Sequence, residues 1–151
     1  MSTHTGCPSC STMGAAIKEP VAVPGKLSHW PIQIKLIGTV APFLNDADLL
    51  VAADCTAFAA ADLYKETMSG RKVLIGCPKL DNGMEYVEKF TEILTNSNIK
   101  SLSILRMEVP CCGGMTAILR EAVKRSGKTL PVTEIVVGVK GDKLTAQPVQ
   151  V

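Results

Sequence analysis

Apolar positions along the chain fall into short blocks that alternate between two periods. Asp48 to Ala53, Lys72 to Gly76, Ser101 to Val109 and Thr133 to Val139 are nearly continuous apolar runs. Such runs are expected of strands buried on both sheet faces. Ile32 to Ile37 has similar β-rich composition and is read as a first strand. Between these runs the spacing changes to three and four. Ala57, Ala60, Ala61, Tyr64 and Met68 share one face of a helix that ends at Ser69-Gly70. Met84, Val87, Phe90 and Leu94 mark a second helix, with Asp81 as its N-cap and Asn96 to Asn98 as its stop. Met115, Ile118, Leu119, Ala122 and Val123 mark a third, closed at Gly127. Lys140 to Lys143 is a turn, and the tail from Leu144 to Val151 either adds a short edge strand or stays loose.

Strands alternating with helices imply right-handed crossovers and a parallel sheet. The expected fold is therefore α/β, a three-layer, Rossmann-like open sheet with helices on both faces. Met1 to about Lys26 is rich in Ser, Thr, Gly and Pro and reads as an irregular arm, with Trp30 packing it onto the core. No repeat or linker divides the 151 residues, so residues 1–151 form a single domain.

Composition narrows the function. Hydrophobic residues make up 46% of the chain and charged residues 20%, as in a globular protein. The net charge of +2 comes without a basic run, and aromatics are only 4%, so nothing favours nucleic acid. No apolar stretch approaches membrane length, and the N-terminus lacks the layout of a secretion signal, so a cytoplasmic protein is expected. In a reducing compartment six cysteines point to metal or redox chemistry rather than disulfides.

Their placement is the strongest signal. Cys55, Cys77 and the Cys111-Cys112 pair each end a different predicted strand just before a helix. In a parallel sheet all three positions share the carboxyl rim, where ligands of open α/β sheets bind. Helix N-termini there favour thiolates. Gly113 and Gly114 follow the pair, and glycine would let this turn adopt positive φ, approach a bulky group and turn its amides toward a metal centre. The arm adds Cys7 and Cys10 as a CxxC that could supply further ligands. His4 and His29 are read as solvated and structural, and Asp54 as either an oxygen ligand or a helix-start carboxylate. Thiolates in this number suit an iron–sulfur cluster held by Cys55, Cys77, Cys112 and Cys7, with Cys111 and Cys10 as alternates. Zinc in a structural module and a thiol enzyme with a rim nucleophile are the alternatives. No glycine-rich phosphate loop is present.

Four segments carry a family resemblance: His29-Trp30-Pro31-Ile32-Gln33, Leu50 to Cys55, Ile75 to Asp81, and Met107 to Cys112. They resemble a domain of anaerobic bacterial iron–sulfur (ferredoxin-type) proteins, where it follows a ferredoxin module carrying 4Fe–4S clusters. The likeness runs from about Gly6 to Gly141. It implies a 4Fe–4S context, and Ser replaces Cys10 in that family, which favours Cys7 as the arm ligand. No CxxCxxCxxxCP occurs here, so the chain would act alone or with a redox partner such as a ferredoxin, and a homodimer is left open.

Overall fold

A computed structural model of the protein describes residues 25–151. Five strands form one sheet in the order β2-β1-β3-β4-β5. They are β1 (Asp48–Ala53), β2 (Lys72–Gly76), β3 (Ser101–Met107), β4 (Val132–Val137) and β5 (Lys143–Pro148). The first four run parallel, and β5 returns antiparallel along β4 as an exposed edge. The sheet is thus mixed rather than wholly parallel, because the Gly138–Asp142 turn is too short for a crossover helix.

Helices α2 (Gly83–Asn96) and α3 (Gly113–Ser126) cover one face. Their buried stripes, Tyr86, Val87, Phe90, Ile93 and Leu94 on α2 and Met115, Ile118, Leu119, Ala122 and Val123 on α3, pack on Leu49, Val51, Leu74 and Ile104. The α3 stripe matches the sequence pattern residue for residue. The opposite face, with Leu50, Ala52, Val73, Leu105, Met107, Ile135 and Val137, lies beneath Leu63 and Met68.

Several local expectations are corrected. Ile32 to Ile37 is not a strand. Only Gln33 pairs with Ile75, and Ile34–Leu36 forms a 3-10 turn. Ile34 and Ile37 are both buried, a spacing of three that suits a helical turn, and the Lys89 ammonium donates to the carbonyls of Ile34 and Lys35 at 2.8 and 2.9 Å. The helix expected over 57–68 is instead a four-residue α1 (Thr56–Ala59), a break, and a π-type turn at Leu63–Thr67. Tertiary docking overrides alanine's helix propensity: the Ala61 amide bonds the Gly141 carbonyl at 3.4 Å, and Lys143 pairs with Asp62 at 2.8 Å. Ala57 and Tyr64, expected on the buried face, are exposed, while Leu63 is buried. Asn82, not Asp81, caps α2, its Oδ1 accepting from the Met84 amide at 3.0 Å, and Met84 is 53% exposed.

Trp30, expected to pack the arm onto the core, is 74% exposed, and residues 1–24 of the arm lie outside the described residues. His29 instead covers the free edge of β2. Its Nε2 accepts from the Val73 amide at 2.9 Å and its ring stacks on Phe43 at 4.2 Å, while the Ile75 amide donates to the Ile32 carbonyl at 2.8 Å. Sealed edges resist aberrant strand pairing. Accepting at Nε2 requires a neutral imidazole. Burial, followed by the nearby Lys72 charge, lowers the His29 pKa from its ordinary value. The folded protein therefore holds that proton more weakly than the unfolded chain. The associated stability is complete above the ordinary value of about 6.5 and is lost as pH falls below it. From about pH 7.5 to about 5.5 the wild type should lose more melting temperature than His29→Gln, whose amide oxygen accepts without titrating. Equal losses would rule out the titration.

Candidate functional site: a thiol-bearing sheet rim

The connections from β1 and β3 leave toward opposite faces, α1 on one and α3 on the other. Adjacent strands whose connections diverge open a crevice at their carboxyl ends, where this architecture places ligands. Cys55 stands on one side of the crevice and Cys111-Cys112 on the other. Cys77 follows β2, one strand further out.

The turns themselves touch. Gly114 lies in the first turn of α3, and a Cβ there would stand 3.4 Å from Cβ of Pro78. The missing side chain lets the Cys77-Pro78 turn close against the segment that carries Cys111 and Cys112. This corrects the reading of the glycine pair. Gly113 is helical (φ −58°, ψ −26°), and among the described residues the positive-φ glycines are Gly70, Gly127 and Gly141. Pro110–Cys112 already forms a 3-10 turn that feeds directly into the helix, so no left-handed step is needed. A Cβ at Gly113 meets nothing within 4 Å. Gly113→Ala should therefore keep or raise stability, by up to about 1 kcal/mol from helix propensity. Gly114→Val should displace Pro78 and change the reactivity of Cys77. Thermal melts and thiol-labelling rates check the pair, and equal behaviour of the two variants would contradict the packing.

All four described cysteines are free thiols. Cys55 and Cys111 are exposed, Cys77 is half-buried, and Cys112 is 4% exposed within the apolar cluster beneath α1. Burial pushes the Cys112 thiol pKa up, and the neighbouring Cys111 and Cys55 raise it further against a lowering hydrogen bond at the Met107 backbone. The thiolate-favouring effect expected of the helix start is thus outweighed at Cys112 by desolvation.

Carboxylates border the thiols. The Asp54 amide donates to the Gly76 carbonyl at 3.0 Å, while its Oδ1 is buried without a hydrogen-bond partner. Burial, and then the Asp81 charge, raises its pKa. Asp81 accepts a hydrogen bond from the Tyr86 hydroxyl and pairs with Lys35 at 3.0 Å. The tyrosine bond and then the lysine hold the Asp81 carboxyl below its ordinary value. Sequence reading missed this Tyr86–Asp81–Lys35 group because Lys35 comes from a distant segment and Asp81 reads as a helix cap. Tyr86 is absent from the apolar stripe of Met84, Val87, Phe90 and Leu94 read in the sequence.

Among the described residues, no three His, Cys, Asp or Glu side chains stand grouped to hold a metal ion. His4, Cys7 and Cys10 lie outside the described residues.

A family model described as a Rossmann-like domain matches residues 41–151. The chain belongs to this Rossmann-like domain family. An uncharacterized protein of Archaeoglobus fulgidus is 31% identical over 116 residues, covering 77% of this chain and 81% of that protein. No solved structure matches. Within this family's architecture the β1 turn often cradles a nucleotide phosphate, but the residues here do not suit one. The turn is Asp54-Cys55-Thr56, with a carboxylate and no glycine, and α1 spans only Thr56–Ala59. Among the described residues no helix is long and apolar enough to cross a membrane.

Proposed function

We propose that the rim binds an iron–sulfur cluster through cysteine thiolates and serves electron transfer or small-molecule redox chemistry in a reducing compartment. One observation carries the reading: Cys55 and Cys111-Cys112 flank the crevice between β1 and β3, and Cys77 follows the neighbouring β2, whose turn contacts the start of α3 through Pro78 and Gly114. The resemblance of these cysteine segments, with His29 to Gln33, to anaerobic iron–sulfur proteins supports it.

The donor chemistry fits. Soft thiolates are the protein ligands that iron–sulfur clusters take, and these thiols are unpaired. Cys55, Cys77 and Cys111 are open to an incoming cluster. Cys112 lies beneath them and serves either as a ligand or as packing under the site. Cys7, or Cys10 beside it, supplies a ligand from the arm. Bound here, the cluster would supply one-electron exchange. The unpartnered Asp54 carboxyl, with its raised pKa, is placed to hold a proton beside the thiols when their charge changes. A ferredoxin-type partner would deliver or remove electrons.

Single changes Cys55→Ser, Cys77→Ser and Cys111→Ser should each lose most of the iron bound by anaerobically prepared protein, with melting of the apoprotein unchanged. Full iron content in any two of the three variants would sink the shared site.

A further inference from the structure

The rim carries more than thiols. Exposed large apolar side chains accompany almost every strand-end turn: Phe58 (98% exposed) after β1, Leu80 (83%) and Met84 (53%) after β2, and Val139 (65%) after β4. Leu144, at the start of β5, joins them, because a Cβ on Gly138 would lie 3.3 Å from its side chain. These residues belong to different segments, and only the topology brings them to one end of the sheet. Scattered exposed apolar residues need no explanation, but a concentration on one edge marks a contact surface.

We infer that two copies of this chain associate rim to rim, related by a two-fold axis, and enclose the cysteine turns between them. Two features favour a second copy as the occupant. The first is charge. A two-fold contact presents a patch to itself, so a rim of a single sign would repel its own copy. This rim mixes Lys79 and Lys140 with Glu85, Glu108 and Asp142, all exposed. Two further charges nearby are satisfied internally, Asp81 by Lys35 at 3.0 Å and Lys143 by Asp62 at 2.8 Å. The second is area. Five large apolar side chains at these exposures offer roughly 600 Å² per copy, about the largest patch a monomer usually carries. Two copies together would bury about 1,200 Å², the lower bound of stable interfaces, before polar contacts are counted.

The consequence for the site is that Cys55 and Cys111, exposed in one copy, would face the same residues of the other across a water-poor gap. The inference goes beyond cluster binding and does not depend on it, since it rests on surface character alone.

The test is sedimentation velocity of the full chain at micromolar concentrations under reductant, which prevents disulfide cross-links. The expected result is a dimer whose dissociation constant rises at least tenfold in Phe58→Glu and in Leu80→Glu and is unchanged in Val40→Glu, a residue 76% exposed away from the rim. All three sites are exposed, so circular dichroism should show intact folds. A monomer throughout the concentration range, or a dimer equally tolerant of both rim changes, would overturn the inference. Iron content measured on the same variants separates the two proposals. Monomeric variants that keep iron support both the rim interface and a site complete within one chain. Iron loss from a variant that remains dimeric counts against the interface lying at the rim.

Discussion

Replacing Gly76 by valine should abolish the native fold, and Gly76→Ala should cost about 1–3 kcal/mol, as for an overfilled core. Gly76 is the last residue of β2, immediately before Cys77. A Cβ at this position would lie 2.8 Å from Cδ1 of Ile34 and 2.9 Å from Cζ of Tyr86, and closer still to the Tyr86 hydroxyl. Neither neighbour can withdraw, because Ile34 is 0% exposed and Tyr86 is 1% exposed. Tyr86 is further held by its hydrogen bond to Asp81, and Lys89 fixes the Ile34 turn through its carbonyl. The alanine variant should melt several degrees lower and should also show altered Cys77 labelling, since the strain sits one residue from that thiol. A melting temperature within a degree of wild type would contradict the close packing of Tyr86 under the rim.

The second large effect is expected at Glu134. Its carboxylate is buried on β4 beneath α3 and accepts from Arg106 Nε at 2.7 Å, Thr116 Oγ1 at 2.6 Å and Gln147 Nε2 at 3.3 Å. One side chain therefore ties β3, β4, β5 and the first turns of α3. Burial pushes its pKa up, but the hydrogen bonds from Arg106, Thr116 and Gln147 outweigh burial and leave it lowered. Glu134→Ala leaves the Arg106 guanidinium, only 19% exposed, without a counterion. Breaking such a pair costs about 3–5 kcal/mol. Glu134→Gln can still accept one bond and should cost less, about 1–3 kcal/mol. Because the folded carboxyl binds its proton more weakly than the unfolded one, the pair's stabilisation is present above the ordinary glutamate value of about 4.3. It is lost as pH falls through the lower folded value. Urea denaturation of wild type, Glu134→Ala and the double variant Arg106→Leu/Glu134→Leu measures this. The double variant should recover part of the loss, and failure to recover any would mean that the cost is not that of an orphaned charge.

The parts of the fold that could be read in the sequence are those set by burial on a regular period. β1 needed only its continuous apolar run, and α3 only the Met115-to-Val123 stripe. The elements that escaped are those decided by distant partners. The 3-10 turn at Ile34–Leu36 depends on Lys89, more than fifty residues downstream, and the break after Ala59 depends on the β4–β5 turn at Gly141. Strand direction was legible for four strands and left open for the tail, because a short turn and exposed polar residues fit an edge strand or a loose end equally well.

The candidate site was legible as a set of positions, since ending a strand with cysteine fixes it to the rim whatever the side-chain details. Which cysteine faces outward was not. In a turn the exposure of adjacent residues depends on the entry angle, and the 3-10 geometry of Pro110–Cys112 turns Cys111 out and Cys112 in. The role of Gly114 was also hidden, because its partner Pro78 belongs to another strand's turn. Glycine signals room for a close neighbour without saying which one.

Iron, acid-labile sulfide and zinc measured on the full chain, purified without oxygen, test the central claim most directly. A thiolate cluster at this rim predicts iron and sulfide in equal amounts with no zinc, and their joint loss in the Cys55→Ser protein. Zinc alone, or stoichiometric amounts of neither iron nor sulfide, would contradict it.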